Sequence, residues 1–86
     1  MPYRKKPELL FETIGDKVVV FDTARRQPFV LNRLAARVLM DSNGLIEIGK
    51  MAEAVSRDHD TSQARAAADL VRLYDELEAK GLAERV

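Results

Sequence analysis

The 86-residue chain contains no cysteine and no tryptophan, one histidine, four glycines and three prolines. Without cysteine there is no disulfide framework, no thiolate zinc site and no thiol nucleophile. The longest unbroken apolar run at a strand position, Val18 to Phe21, falls far short of the roughly 20 residues of a spanning helix. It is also too short for the core of a secretory signal. The scattered glycines form no phosphate-cradling loop. Net charge is missing too, because 14 Lys and Arg balance 14 Asp and Glu. A chain this neutral lacks the whole-surface basic footprint of many nucleic-acid binders. What remains is a soluble, cytoplasmic domain with one modest core, since a chain of this size buries only about 60–65% of its unfolded surface.

Catalytic groups are equally sparse. His59 stands among Arg57, Asp58 and Asp60. Adjacent residues rarely point at one ion, so the plain reading is a solvated loop histidine rather than a metal ligand. Ser42, Ser56 and Ser62 lack a base and an orienting partner. Asp69, Asp75, Glu76 and Glu78 interleave with Arg72 and Lys80, as on a solvated helical face. No cofactor and no enzymatic activity are expected.

The apolar pattern reads as strands first and helices second. Leu9 to Ile14 and Lys17 to Asp22 are short and rich in β-branched or aromatic residues, and Gly15-Asp16 between them suits a tight hairpin. Pairing across that turn puts Leu9, Phe11, Val18 and Val20 on one face. Leu10, Ile14, Val19 and Phe21 fall on the other, so the sheet is apolar on both sides. Pro28 to Leu31 makes a third strand, an edge strand if the order follows the sequence. From Asn32, a candidate helix cap, the period changes to that of a helix carrying Leu34, Ala35, Val38 and Leu39. A second helix fits about 47–57. The third begins at a capping box of Asp60 and Gln63, with Thr61 as an alternative cap, and stops at Gly81. Residues 1–7 read as a basic flexible arm. The expected fold is α+β and resembles a winged helix-turn-helix, a three-stranded antiparallel sheet followed by three helices.

Charge is distributed unevenly along this frame. Residues 1–37 carry eight basic and four acidic side chains, and residues 38–86 carry six basic and ten acidic. A winged-helix layout raises DNA binding by a transcriptional regulator as the alternative function. Against it, residues 60–80 hold Arg65, Arg72 and Lys80 against Asp60, Asp69, Asp75, Glu76 and Glu78. A net negative third helix repels phosphate.

The string Phe21-Asp22-Thr23-Ala24-Arg25-Arg26-Gln27-Pro28-Phe29-Val30-Leu31-Asn32 leads into a helix with Ala35-Ala36 and Leu39 and a polar turn at Gly44. Ile48 to Val55, then Leu70, Leu73, Leu77, Gly81 and Leu82, follow in order. This set resembles the PqqD-like family, the recognition elements of ribosomally made peptides, over residues 8–86 as a single domain. The resemblance implies a non-catalytic chaperone. It would bind the leader of a precursor peptide as an added strand beside the third strand and against the third helix. It would then present the peptide to a modifying enzyme, such as a radical-SAM protein of PQQ biosynthesis. The implied partners are the leader peptide and that enzyme, with no nucleic acid and no membrane, and the domain would be a monomer or weak homodimer. The implied contact residues are Pro28, Phe29, Val30, Leu31, Arg33 and Arg37 around the edge strand. On the third helix they are Ala66, Leu70, Leu73, Tyr74 and Leu77. Arg25, Arg26, Arg33 and Arg37 would meet acidic leader residues.

Overall fold

The computed structural model describes residues 2–86. Strands β2 (Leu9–Ile14), β3 (Lys17–Asp22) and β4 (Gln27–Asn32) form an antiparallel sheet in sequence order. Gly15 makes the first turn with φ 62°, a conformation that costs a residue lacking Cβ little. Helices α1 (Arg33–Asp41), α2 (Ile48–His59) and α3 (Gln63–Ala79) follow. The three-stranded sheet followed by three helices is the architecture anticipated from the pattern of apolar residues.

The sheet's period of two decides which side meets the helices. The register pairs Phe11 with Val20 and Val20 with Phe29, and Val18 with Leu31, so these side chains share the inner face. Val18, Val20 and Leu31 are buried there with Ala35, Val38 and Leu39 of α1 and Leu70 and Leu77 of α3. The opposite face stays open. Leu10, Ile14 and Val30 are each about 60% exposed, at 63%, 59% and 64%.

Helix ends follow local chemistry. Asn32 caps α1 as anticipated, its Oδ1 accepting the Ala35 N–H at 2.7 Å. The cap of α3 is Ser62, whose Oγ accepts the Arg65 N–H at 3.1 Å, and not Asp60 or Thr61. Asp60 instead closes α2 in the left-handed conformation, φ 50° and ψ 48°, which Asp tolerates better than most residues. Helix α2 therefore runs two residues beyond the expected end.

The expected loose arm is the main correction. Met1 lies outside the described residues, but β1 (Tyr3–Lys5) pairs antiparallel with β5 (Ala83–Arg85), joining the two ends of the chain. The Gly44 N–H donates to the Tyr3 carbonyl and the Lys5 N–H to the Ser42 carbonyl, both at 2.9 Å, so the loop after α1 grips the other side of β1. Burial of Tyr3 and Ala83 supplies the apolar reason for this order, and Arg4 and Lys6 close on Glu84 at 2.7 and 2.9 Å.

Candidate functional site

The hairpin fixes where the backbone groups of β4 point. A two-residue hairpin closes on a hydrogen-bonded pair, here Ile14 and Lys17. Alternation then makes Glu12–Val19 and Leu10–Phe21 the other bonded pairs of β2 and β3. The remaining groups of β3, on Val18, Val20 and Asp22, therefore face β4, where they meet Leu31, Phe29 and Gln27. Pro28 presents its carbonyl and Val30 both backbone polar groups to the open edge, and Asn32 adds its N–H, its carbonyl being taken by the first turn of α1. Pro28, which has no N–H to give, stands where no N–H is needed within the sheet.

Helix α3 runs alongside that edge in the opposite sense. At one end, Arg25 in the β3–β4 turn donates to the Lys80 carbonyl at 2.7 Å, beside the end of α3. At the other, Asn32, Leu34 and Ala35 border a cleft of about 430 Å³ together with Ala66, Leu70 and Leu73 of α3 and Val55 of α2. His59, Thr61, Asp69, Arg72 and Glu76 complete its rim. The floor is apolar and the rim polar, the usual make-up of a site that seats side chains of a ligand. The cleft begins at Asn32, the last residue of the open strand, so edge and cleft form one surface.

The expected contact residues divide into groups. Pro28 and Val30 lie exposed on the open strand, and Phe29 is half-buried with Arg25 stacked over its ring at 5.8 Å. Ala66, Leu70 and Leu73 border the cleft, with Leu73 the most open of them. Leu31 and Leu77 are core residues, 6% and 0% exposed, because their side chains point from strand and helix into the common interior.

Tyr74 also departs from the expectation. It is 2% exposed, stacks on Tyr3 and does not border the cleft. The Ser42 hydroxyl gives its single proton to the Val38 carbonyl at 2.6 Å, so the Tyr74 hydroxyl, 2.7 Å away, donates to Ser42 Oγ. Burial pushes the Tyr74 phenol above its ordinary pKa.

Most of the arginines are engaged within the fold. Arg33 donates to the Gly15 carbonyl at 2.6 Å, and Arg37 pairs with Asp58 at 2.7 Å. Neither borders the cleft. Arg25 is held by Asp22 at 2.7 Å, and this contact keeps the buried Asp22 carboxyl below the usual carboxylate range. The sequence reading did not place Asn32, Leu34, Ala35, Val55, His59, Thr61, Asp69, Arg72 or Glu76 at the cleft. Of these, Leu34 and Val55 were legible as helical apolar residues, but nothing local told that they would face a cleft.

Among the described residues no group of three or more His, Cys, Asp or Glu side chains is placed to hold a metal ion. No helix among them is long and apolar enough to cross a membrane.

A three-stranded sheet with one open, proline-bearing edge beside an apolar cleft defines a small α+β domain built like the recognition elements of ribosomally made peptides. The family model of coenzyme PQQ synthesis protein D (PqqD) matches residues 17–83, and the chain belongs to that family. No curated protein is significantly similar in sequence. Two solved structures share the fold over nearly their whole length. One is a lasso peptide synthetase B1 complexed with the leader peptide, with a TM-score of 0.79 and 19% identity over 98% of this chain and 99% of that one. The other is TbiB1 in complex with the TbiA(beta) leader peptide, with a TM-score of 0.77 and 17% identity over 94% of each chain.

Proposed function

We propose that the chain is a non-catalytic recognition domain that captures the leader segment of a ribosomally made precursor peptide. The leader adds as a strand to β4, and alternate side chains drop into the cleft beside α3. The observation that carries this reading is the continuity of the open edge at Pro28, Val30 and Asn32 with the apolar cleft that begins at Asn32. Main-chain bonds to an edge give affinity with little dependence on sequence, and a neighbouring pocket adds selectivity. Each such bond contributes about 0.5–1.5 kcal/mol net, so a few of them with one or two seated side chains suffice for micromolar binding. The two proteins of the same fold are both described with leader peptides bound, which supports the same use of this surface.

The loaded domain then presents the peptide to a modifying enzyme in the cytoplasm. A radical-SAM enzyme of PQQ biosynthesis is the partner that the family name favours. Residues 2–86 act as one unit in this reading, because β1 and β5 lock the chain ends together.

Fluorescence polarisation tests the binding class. The probes are the labelled leader of a precursor peptide encoded beside the gene, and a labelled DNA duplex. The expected result is micromolar or tighter peptide binding and weak, salt-sensitive DNA binding. Tight DNA binding with a steep salt slope and no peptide binding would establish the winged-helix regulator instead.

A further inference from the structure

The charge that faces the cleft is opposite to the one expected from the basic first half of the chain. Arg25, Arg33 and Arg37 are engaged by Asp22, the Gly15 carbonyl and Asp58, and neither they nor Arg26 border the cleft. On the cleft wall, Asp69 is neutralised by Arg72 one turn along the helix. Glu76 is exposed and borders the cleft, and its carboxylate has no hydrogen-bond or ion-pair partner among the described residues. Lys80, one turn further on, forms no ion pair with it and does not border the cleft. Asp69 and Glu76 against Arg72 leave one negative charge on this wall, carried by Glu76.

Position gives that charge a role. Asp69, Leu73, Glu76 and Lys80 follow each other at helical spacing along one stripe of α3. The Arg25–Lys80 bond anchors the end of this stripe at the β3–β4 turn, and Leu70 and Asn32 both border the cleft at the other end. Glu76 therefore flanks the path a strand would take along β4, a turn beyond the apolar floor at Leu73. The carbonyls at the end of α3 add a further negative potential there.

We infer that the cleft selects peptides carrying a lysine or arginine near the apolar side chain seated against Leu70 and Leu73, with Glu76 as the residue that reads the cation. This rests on the peptide-binding reading above and adds the charge class of the ligand. A partly desolvated cleft strengthens such a pair relative to one on the open surface. At low salt, replacing the cation by an acid turns attraction into repulsion and costs about tenfold in affinity.

The test uses the whole chain and a randomised decapeptide library displayed on phage. Peptides enriched on the wild-type chain are sequenced, and the selection is repeated on Glu76→Gln and Glu76→Lys. Glu76 is an exposed helix residue, so both variants keep the fold, which circular dichroism checks. The expected result is Lys or Arg enrichment at a fixed spacing from a large apolar residue. That enrichment fades with Glu76→Gln and turns to Asp or Glu with Glu76→Lys. A synthetic wild-type binder and its Lys→Glu variant should differ about tenfold in Kd on the wild-type chain, and less than threefold on Glu76→Gln. Enriched peptides that are indifferent to charge, or acidic on the wild-type chain, overturn this inference and leave peptide binding standing. Failure to enrich any peptide overturns both.

Discussion

The ring of Tyr3 lies parallel to the ring of Tyr74, with centroids 4.2 Å apart and planes inclined by 4°. This pair ties the first strand of the chain to the middle of its last helix. Arg85 covers the assembly from β5, its Nε donating to the Tyr3 hydroxyl at 3.0 Å. Tyr74 thus fastens α3 to the paired chain ends, while Leu70 and Leu73 of the same helix border the cleft. On the proposed function, this attachment holds the cleft wall beside the β4 edge to which a strand would add.

Removing the stack separates these two roles. Tyr3→Ala should cost about 3–5 kcal/mol, as for other large buried aromatic side chains. Peptide affinity, measured at a temperature where the variant remains folded, should stay within threefold of the wild type. Urea unfolding and peptide titration of the same sample check this. A stable variant would mean that β1 contributes nothing to the fold.

Leu70 and Leu73 should behave differently although both border the cleft. Leu70 is 3% exposed and belongs to the core, so Leu70→Ala should destabilise by about 2–5 kcal/mol. Leu73 is half-buried, so Leu73→Ala should cost less stability and weaken peptide binding by about 1–3 kcal/mol. Thermal melts and titrations on the two variants resolve the difference. Equal losses of stability with unchanged affinity would make Leu73 a core residue only.

Gly81 is restricted twice over. Its φ of 72° is left-handed, and an added Cβ would sit 2.8 Å from the Arg25 guanidinium nitrogens. Gly81→Ala should therefore cost about 1–2 kcal/mol through the backbone and more if Arg25 is displaced from the Lys80 carbonyl. Because Arg25 fastens the β3–β4 turn to α3, the peptide affinity of this variant should fall as well. Chemical denaturation gives the first quantity and peptide titration the second. Unchanged affinity would show that the Arg25 anchor does not set the position of the edge.

Acid should loosen the same anchor. The hydrogen bond from Arg25 holds the Asp22 carboxyl below its ordinary pKa, and Lys6 and Arg4 do the same for Glu84. A carboxylate lowered in the folded state contributes stability that is fully present above its unfolded pKa, near 4, and is lost as pH falls through the lower folded value. Melting temperature should be flat from neutral pH down to about 5 and then decline. Asp22→Asn should lower the neutral plateau and flatten part of the acid decline. An acid limb identical to that of the wild type would remove Asp22 from the account.

The parts of this fold that follow a period were legible in the sequence. Val18 and Val20 alternate with Val19 and Phe21, which fixed the two faces of the sheet, and Leu34, Val38 and Leu39 marked the first helix. Three-residue strands carry no period. Tyr3–Lys5 contains one apolar residue and Ala83–Arg85 one more, so their pairing across the whole chain length left no local signal. Tyr74 shows the limit for the site. Its place on an apolar helix stripe was plain, but whether that stripe turns toward cleft or core depends on Tyr3, more than seventy positions away. The charge around the cleft was not legible for a related reason. A sequence counts arginines, whereas Asp22, Gly15 and Asp58 determine which of them remain available.

The central claim is that a peptide joins the sheet at β4, and amide hydrogen exchange read by NMR tests it most directly. In the free protein the Phe29 and Leu31 amides, bonded to β3, should exchange slowly. The outward Val30 amide should exchange fast. Saturation with a binding peptide should slow exchange at Val30 by tenfold or more and leave Phe29 and Leu31 little changed. A saturated complex in which Val30 exchanges as fast as in the free protein would contradict strand addition and place the peptide elsewhere.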